Sequence, residues 1–304
     1  RSGVTMTDTR IALLPDRGVV TVMGEDAEKL LQGVITNDMA LLNDQPAIHA
    51  GLLTPQGKIL FDFFVVKVPG GFCIETARDK AAELSDRLNT YKLRVKAEIQ
   101  DASADYTVAA IWGGPYKLRH GGKPPLWFAD PRLPNMGFRE LVTMRTDWAL
   151  GAEDANSATQ DDYHAHRIAL GVPEGGKDYA LGDSFPHEAL FDQLHGVSFE
   201  KGCYVGQEVI SRMANRGTAR RRVVPVAGET ALPASGADMV AGGVTIGLLG
   251  STAGTHGLAL LRLDRAAEMS GRGAGLYAGD VPVRIELPSW AHFGPSAKDP
   301  SAPA

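Results

Sequence analysis

The chain has 304 residues, of which 44% are hydrophobic and 22% are charged, a composition typical of a soluble protein with one to three domains. Its formal net charge of -5 provides no long-range attraction for nucleic acid or an anionic membrane, so direct nucleic-acid binding is disfavoured. No apolar run approaches the ~20 residues of a spanning helix, and no signal-like pattern opens the sequence. We therefore expect a cytoplasmic protein without a membrane partner.

The two cysteines, Cys73 and Cys203, lie far apart in the sequence. They provide neither a disulfide framework nor a four-cysteine metal site, and the chain alone cannot hold a conventional cysteine-ligated iron–sulfur cluster. Four of the eight histidines fall within residues 164–195, but their spacing matches no compact zinc or iron motif. We predict no metal site.

The N-terminal region predicts strands and helices in an irregular order. Residues 18–23 predict a strand and residues 25–32 a short helix with one apolar face. Residues 48–53 and 59–68 are two apolar segments joined by a Thr-Pro-Gln-Gly turn, which predicts a β-hairpin.

A second helix is predicted at residues 79–93, with Asp79 as its N-cap. Residues 95–100 and 106–112 predict further strands. Because the helices do not alternate regularly with single strands, we expect an α+β fold built mainly on antiparallel sheet.

The middle of the sequence contains a segment rich in proline and glycine at residues 113–137, which predicts a long loop between two halves of the region. Residues 161–170 predict another helix, and Gly171 supplies its C-terminal stop.

The last part of the sequence predicts a separate small β-barrel, because short β-type runs alternate there with glycine-rich turns. These runs are residues 223–226, 244–249, 257–263 and 281–287. We therefore divide the chain into an α+β body at residues 6–215, a barrel at residues 216–287 and a mobile tail at residues 288–304.

Residues 201–208 read Lys-Gly-Cys-Tyr-Val-Gly-Gln-Glu and place a cysteine beside glycines and a lysine. The glycines disfavour a helix interior, so we predict that Cys203 lies in a turn. The ammonium of Lys201 would raise the thiolate fraction of Cys203 if the two side chains meet. The residues alone leave two interpretations open, a reactive thiol and a tight turn with an incidental cysteine.

Two charged residues also have two interpretations. Asp62 interrupts an apolar strand, where an ionised carboxylate is costly unless it is paired or faces a cavity; the alternative is a rim position that faces water. Arg167, near the end of its predicted helix, is either a solvated cation favoured by the helix dipole or a ligand-binding group.

The string at residues 201–208 resembles the K-G-C-[FY]-x-G-Q-E signature of the YgfZ-type folate-binding family, which is related to the glycine-cleavage aminomethyltransferases. The similarity covers about residues 30–222. It includes five further segments: residues 31–33, 36–38, 167–173, 185–188 and 211–217.

This resemblance implies an aminomethyltransferase-like folate-binding body of mixed and antiparallel sheet with helices, plus the C-terminal β-barrel. It implies tetrahydrofolate or a one-carbon derivative as cofactor, and a role in iron–sulfur protein assembly or repair with effects on tRNA-modifying enzymes. The implied partners are the folate and an iron–sulfur client or assembly protein. The alternatives are a folate-dependent aminomethyltransferase or demethylase, and a non-catalytic interaction scaffold.

The resemblance also implies the site residues. Cys203 and Asp62 are the candidate catalytic residues. The candidate folate-binding residues are Asp62, Arg167, Asn37, Arg139, Glu188 and Lys201. Asp62 and Arg167 match the essential aspartate and the folate-binding arginine of the related aminomethyltransferases, whereas Arg139 stands near the position of their pterin-binding glutamate. Whether Cys203 serves redox chemistry, cluster transfer or neither is left open.

Overall fold

A computed structural model describes residues 8–114, 117–118, 126–143, 152–153, 155–215 and 220–293. The chain divides into two compact units. Unit 1 comprises Arg1–Leu52, Phe61–Tyr163 and Glu200–Tyr204, and unit 2 comprises Leu53–Leu60, His164–Phe199 and Val205–Ala304.

The strands, numbered in chain order, are β1 (Arg10–Leu13), β2 (Arg17–Met23), β3 (Ala47–Leu53), β4 (Ile59–Val68), β5 (Gly71–Ala77), β6 (Glu98–Asp101), β7 (Tyr106–Trp112), β8 (Lys117–Leu118), β9 (Leu126–Ala129), β10 (Phe138–Thr143), β11 (Ala152–Glu153), β12 (Asn156–Ser157), β13 (Arg221–Gly228), β14 (Asp238–Ala241), β15 (Val244–Ala253), β16 (His256–Arg262), β17 (Leu276–Ala278) and β18 (Val281–Ile285). The α-helices are α1 (Ala27–Val34), α2 (Arg78–Lys92), α3 (Gln160–Ala169), α4 (Gln207–Asn215) and α5 (Leu263–Gly271). Short 3-10 helices occupy Met39–Asn43, Ser103–Asp105 and Pro134–Met136.

Two five-stranded sheets form the body of unit 1, in the orders β12-β1-β7-β10-β9 and β3-β4-β5-β2-β6. The first sheet is mixed, because β1 pairs parallel with β12 and antiparallel with β7. In the second sheet β5 pairs antiparallel with both β2 and β4. The predicted α+β class and the neighbouring positions of β3 and β4 are confirmed.

Helix α2 packs through the buried side chains of Ala81, Leu84 and Leu88. The prediction that Asp79 caps this helix is wrong. The helix begins at Arg78, whose backbone N–H donates to the carbonyl of Asp16 at 2.7 Å, so the chain turns into the helix earlier than the capping pattern indicated.

The proline-rich segment at residues 113–137 contains more regular structure than a long loop. Strand β9 pairs with β10, and a 3-10 helix precedes β10. Gly137 joins them with a φ of 79°, and a Cβ atom there would lie 2.1 Å from the carbonyl oxygen of Ile111. Residues 115–116 and 119–125 of this segment lie outside the described residues.

Unit 2 contains a closed barrel with the strand order β13-β16-β15-β14-β17-β18. Its core is apolar and includes Val224, Met239, Ile246 and Leu261. The predicted barrel is confirmed, whereas β14, β17 and α5 had no counterpart in the sequence analysis. Among the described residues, every helix is too short or too polar to traverse a lipid bilayer.

The segment after the barrel was predicted to be a mobile tail, but its described part is bonded within unit 2. The indole of Trp290 donates to the carbonyl of Leu170 at 3.0 Å, and the backbone N–H of His292 donates to Gln193 at 2.9 Å. Residues 294–304 lie outside the described residues. The proposed boundaries at residues 215 and 287 stay a prediction.

Candidate functional site

The loop that carries Cys203 alternates between buried and exposed residues. Lys201 and Tyr204 are buried, with 6% and 7% of their surface exposed. Gly202 and Cys203 between them are exposed, and Cys203 is a free thiol. The loop therefore presents one cysteine to solvent between two buried side chains. Cys203 was predicted to lie in a turn; it lies outside helices and strands, and the turn begins two residues later, at Val205.

The ammonium of Lys201 donates three hydrogen bonds to backbone carbonyls, those of Gln32 at 2.7 Å, Ile35 at 2.9 Å and Asn37 at 2.8 Å. Gln32 lies in the last turn of α1 and Ile35 is its C-cap. The last carbonyls of a helix have no partner within the helix, and a cation there is favoured by the helix dipole. Lys201 thus caps α1. Burial lowers the pKa of Lys201 to about 8, although the charge of Asp38 opposes this effect.

Tyr204, the buried residue that follows Gly202 and Cys203, packs on the same ammonium. The centre of its ring lies 5.2 Å from Nζ of Lys201, within the range of a cation–π contact. Burial raises the pKa of the Tyr204 hydroxyl to about 12. The two buried side chains that flank Cys203 therefore contact each other.

The segment that accepts these bonds is itself held by local hydrogen bonds. The side-chain amide of Asn37 donates to the carbonyl of His49 at 2.8 Å. Thr36 pairs with Gly51 through its backbone N–H and its hydroxyl, at 2.9 and 2.8 Å. The side chain of Gln32 accepts from the N–H of the residue that starts the following 3-10 helix. Asn37, predicted to bind folate, therefore lies in the structure as a buried scaffold residue.

Asp62 lies on β4 between the buried rings of Phe61 and Phe63. Successive side chains of a strand point to opposite faces, so its carboxylate lies on the other face from these rings and is partly exposed. Its backbone carbonyl accepts from the Thr76 hydroxyl at 3.0 Å. Asp62 is thus the predicted folate-binding residue whose side chain is accessible.

Arg139 is only 2% exposed and belongs to a buried charge network in unit 1. Its guanidinium donates to the hydroxyl of Tyr163 and lies 3.7 Å from the Glu75 carboxylate and 3.9 Å from the Asp130 carboxylate. Glu75 also accepts from Arg17 at 2.7 Å. Sequence reasoning placed Arg139 at a pterin, whereas the structure surrounds it with protein partners.

A third arginine, Arg132, completes this network. Arg132 makes a two-bond ion pair with Asp130, at 2.7 and 3.0 Å. Burial alone would raise the pKa of Asp130, but the guanidiniums of Arg132 and Arg139 hold it below its usual value. Both arginines also stack on the ring of Phe64, at 4.8 and 5.5 Å. These residues were not predicted from the sequence; the Asp-x-Arg spacing at residues 130–132 was their one local signal.

Arg167, in unit 2, has no exposed surface. It donates to the Asp178 carboxylate at 2.6 Å, to the Val172 carbonyl at 3.1 Å, to the Ser251 hydroxyl at 2.6 Å and to the His164 ring at 2.9 Å. The interpretation as a solvated helix cation is wrong. The guanidinium instead connects the loop after α3 with strand β15, and contact with a folate stays a prediction.

Glu188, the other predicted folate ligand of unit 2, pairs with Arg221 on β13 through two hydrogen bonds of 2.8 and 3.0 Å. It also accepts from the backbone N–H of Phe185 at 2.9 Å. Its own carbonyl accepts from the N–H of Val223 at 2.9 Å. Its carboxylate therefore joins a loop to the barrel.

The predicted site residues thus separate into distinct structural settings. Lys201, Asn37 and the Cys203 loop come together in unit 1. Arg139 belongs to a charge network of the same unit, and Arg167 to a network of unit 2. Sequence reasoning found the side chains but not their partners, most of which lie more than ten residues away in the sequence.

Comparison with known proteins identifies both the barrel and the overall fold. The C-terminal β-barrel domain of CAF17 matches residues 220–293, which contain the six barrel strands. The crystal structure of the glycine cleavage system aminomethyltransferase T from Bartonella henselae superposes with a TM-score of 0.74, covering 94% of this chain and 87% of that one. At 17% identity, this similarity shows the fold alone. The predicted aminomethyltransferase-like fold is confirmed.

Curated relatives show the family. The mitochondrial iron–sulfur cluster assembly factor IBA57 of Homo sapiens is 32% identical over 272 residues, covering 82% of this chain and 76% of the human protein. The mouse protein is 33% identical with the same coverage. The IBA57 homologue of Mycosarcoma maydis is 34% identical over 239 residues, 73% of this chain, which spans only 58% of that relative's length.

These relatives bear on the predicted location and on the predicted family. All of them are named mitochondrial, which contradicts the cytoplasmic location expected from the sequence, so that prediction is wrong. The YgfZ-type signature belongs to a related family, and membership in it stays a prediction. The chain belongs to the IBA57 family of iron–sulfur cluster assembly factors.

Proposed function

We propose that this chain assists iron–sulfur cluster assembly by presenting Cys203 as one thiolate ligand of a cluster that it shares with a partner protein. The observation that carries the proposal is the exposed thiol of Cys203 between the buried side chains of Lys201 and Tyr204. The names of the relatives support the same role.

The chemistry follows from the number of thiols. Iron–sulfur clusters are commonly held by four thiolates, and this chain has one exposed cysteine. Cys73 is buried, and burial raises the pKa of its thiol, so it does not supply a second thiolate at the surface. Cys203 would lose its proton to solvent and donate a sulfur electron pair to iron. The other ligands come from the partner, and the cluster is cargo.

A ligand-exchange experiment tests this proposal without a known partner. A glutathione-bound [2Fe–2S] cluster is the donor, so that the Cys203 thiolate replaces one glutathione thiolate, which leaves with the proton. We expect visible absorption and circular dichroism of protein-bound cluster for wild type and for Cys73→Ala, and none for Cys203→Ala. A colourless wild type, or an equally coloured Cys203→Ala variant, would show that the proposal is wrong.

The proposed clients are iron–sulfur enzymes, including those that modify tRNA. Cells that depend on this chain would then lose iron–sulfur enzyme activity and tRNA thiolation when Cys203 is changed to alanine, while levels of the chain stay normal. Normal activities in that strain would remove Cys203 from the mechanism.

Folate binding is a second candidate function, favoured by the partly exposed acidic residue Asp62 on an otherwise apolar strand. The other predicted ligands fit a folate poorly, because Arg139, Arg167 and Glu188 are buried and already hydrogen-bond to Tyr163, Asp178 and Arg221. We therefore derive no step through a folate. Calorimetric titration with tetrahydrofolate tests the candidate: binding that Asp62→Asn abolishes and Asp79→Asn retains supports it, and no heat at high micromolar ligand excludes it.

A further inference from the structure

We infer that Lys201 is a positioning residue for Cys203: by capping helix α1 with its ammonium, it fixes the start of the loop that carries the thiol. This inference deepens the proposed function and rests on it. Lys201 itself touches no cluster; it acts through the backbone of the loop.

The donors and acceptors match in number. A lysine ammonium has three N–H donors, and the carbonyls of Gln32, Ile35 and Asn37 accept at 2.7 to 2.9 Å. These carbonyls come from the end of α1 and the turn that follows it, where the helix provides no internal partners. Loss of the ammonium would leave buried acceptors unsatisfied and so destabilise this end of the helix.

The chain gives Cys203 little freedom around this fixed point. Cys203 is two residues from Lys201, so their Cα atoms lie at most about 7 Å apart, and its Cα lies about 3.8 Å from that of Tyr204. Tyr204 is buried and packs on the Lys201 ammonium. The exposed thiol is thus held from both sides, because the side chains of Lys201 and Tyr204 lie in the interior.

Such an arrangement suits a single ligand that must meet a cluster held by another protein. A ligand that is ordered before it binds loses less conformational entropy on binding, which strengthens the complex. One thiolate cannot compensate for its own mobility by chelation with a second thiolate of the same chain. The position of Cys203 therefore has to be supplied by the fold, and Lys201 supplies it.

The test measures cluster exchange and loop order in matched variants. Lys201→Met keeps the apolar stem and removes the donors, and Lys29→Met on the exposed face of α1 is the control. We expect Lys201→Met to lower the equilibrium constant for cluster loading by about tenfold, the factor that corresponds to ordering one mobile side chain on binding. The visible circular dichroism per bound cluster should also fall, because a mobile ligand imposes less chirality. Lys29→Met should match wild type.

The outcomes separate the two proposals. If wild type takes up no cluster, the proposed function fails. If wild type loads and Lys201→Met loads equally with unchanged dichroism, only the positioning role is wrong.

A measurement on wild type covers the case in which Lys201→Met does not fold. The backbone order parameter of the Cys203 amide should be near about 0.85, the value of rigid backbone, although the residue is exposed and outside regular structure. A value below about 0.6 would show a mobile thiol and overturn the inference.

Discussion

The ammonium of Lys201 lies 2.9 Å from the carbonyl oxygen of Ile35, the C-cap of helix α1, although 166 positions separate them in the sequence. This bond joins the segment around Thr36 to the loop of the K-G-C-Y string. The two most distinctive strings of the sequence are therefore two sides of one structural contact, and several predictions depend on it.

Replacing Lys201 with methionine should destabilise the folded protein by about 2 kcal/mol, because buried carbonyls lose a charged donor. Urea unfolding at neutral pH measures this change. Lys29→Met, on the exposed surface of the same helix, should stay within about 0.5 kcal/mol of wild type. Equal effects of the two substitutions would contradict the capping role.

The buried ammonium also predicts a pH dependence. The pKa of Lys201 falls from 10.5 to about 8 on folding, so between these values the unfolded chain binds the proton that the folded chain has released. The free energy of unfolding should therefore rise with pH across this window, by at most about 1.4 kcal/mol per pH unit. The measurement is the difference between wild type and Lys201→Met, since other groups titrate in both. A difference that is flat from pH 8 to 10.5 would refute the assignment.

The buried ring of His187 predicts a second pH dependence of stability, in acid rather than in alkaline solution. Its ring is buried, neither nitrogen has a hydrogen-bond partner in the described part of the chain, and burial lowers its pKa below 6.5. As the pH falls through 6.5, the unfolded chain takes up the proton first, so the free energy of unfolding decreases. Relative to His187→Phe, wild type should lose stability below pH 6.5 and not above it. If the free energy of unfolding falls equally with pH for wild type and for His187→Phe, the prediction is wrong.

Arg167 should behave as a structural residue of unit 2. Changing it to methionine leaves the Asp178 carboxylate buried without its strongest partner, which should cost about 3–5 kcal/mol of stability. Asp178→Asn in the same protein should recover part of the loss, because the uncompensated charge is then gone. Thermal unfolding measures both variants, and Arg272→Met, at the exposed C-cap of α5, is the control. An unchanged melting temperature for Arg167→Met would show that the network contributes no stability.

The sequence predicted those features that depend on local pattern. Short apolar runs bounded by turn residues predicted β4 and the main barrel strands, because such a run between turn signals is typical of a buried strand. Gly171 ended α3 with a φ of 77°, which favours glycine. The start of α2 was misplaced because a tertiary bond to Asp16 replaced the local cap.

The candidate site was predictable as a set of residues but not as an arrangement. A charged residue in an apolar context indicates either a ligand contact or a buried ion pair, and only the position of its partner distinguishes them. The partner of Arg139, Glu75, lies on another strand of the other sheet, and the partners of Lys201 are backbone carbonyls, which carry no residue-type signal at all. Periodicity therefore could not separate these buried cations from ligand-binding ones.

The Trp290 indole donates a hydrogen bond to the Leu170 carbonyl, so residues that follow the last barrel strand also contribute contacts within unit 2. The ring of Phe293 also packs on the guanidinium of Arg222, with 4.8 Å between the ring centre and Cζ. A version of the protein truncated at residue 287 would expose the end of α3 and one side of the barrel together. Expression of a barrel cut at its final strand should thus yield a less soluble product than one that extends to residue 293.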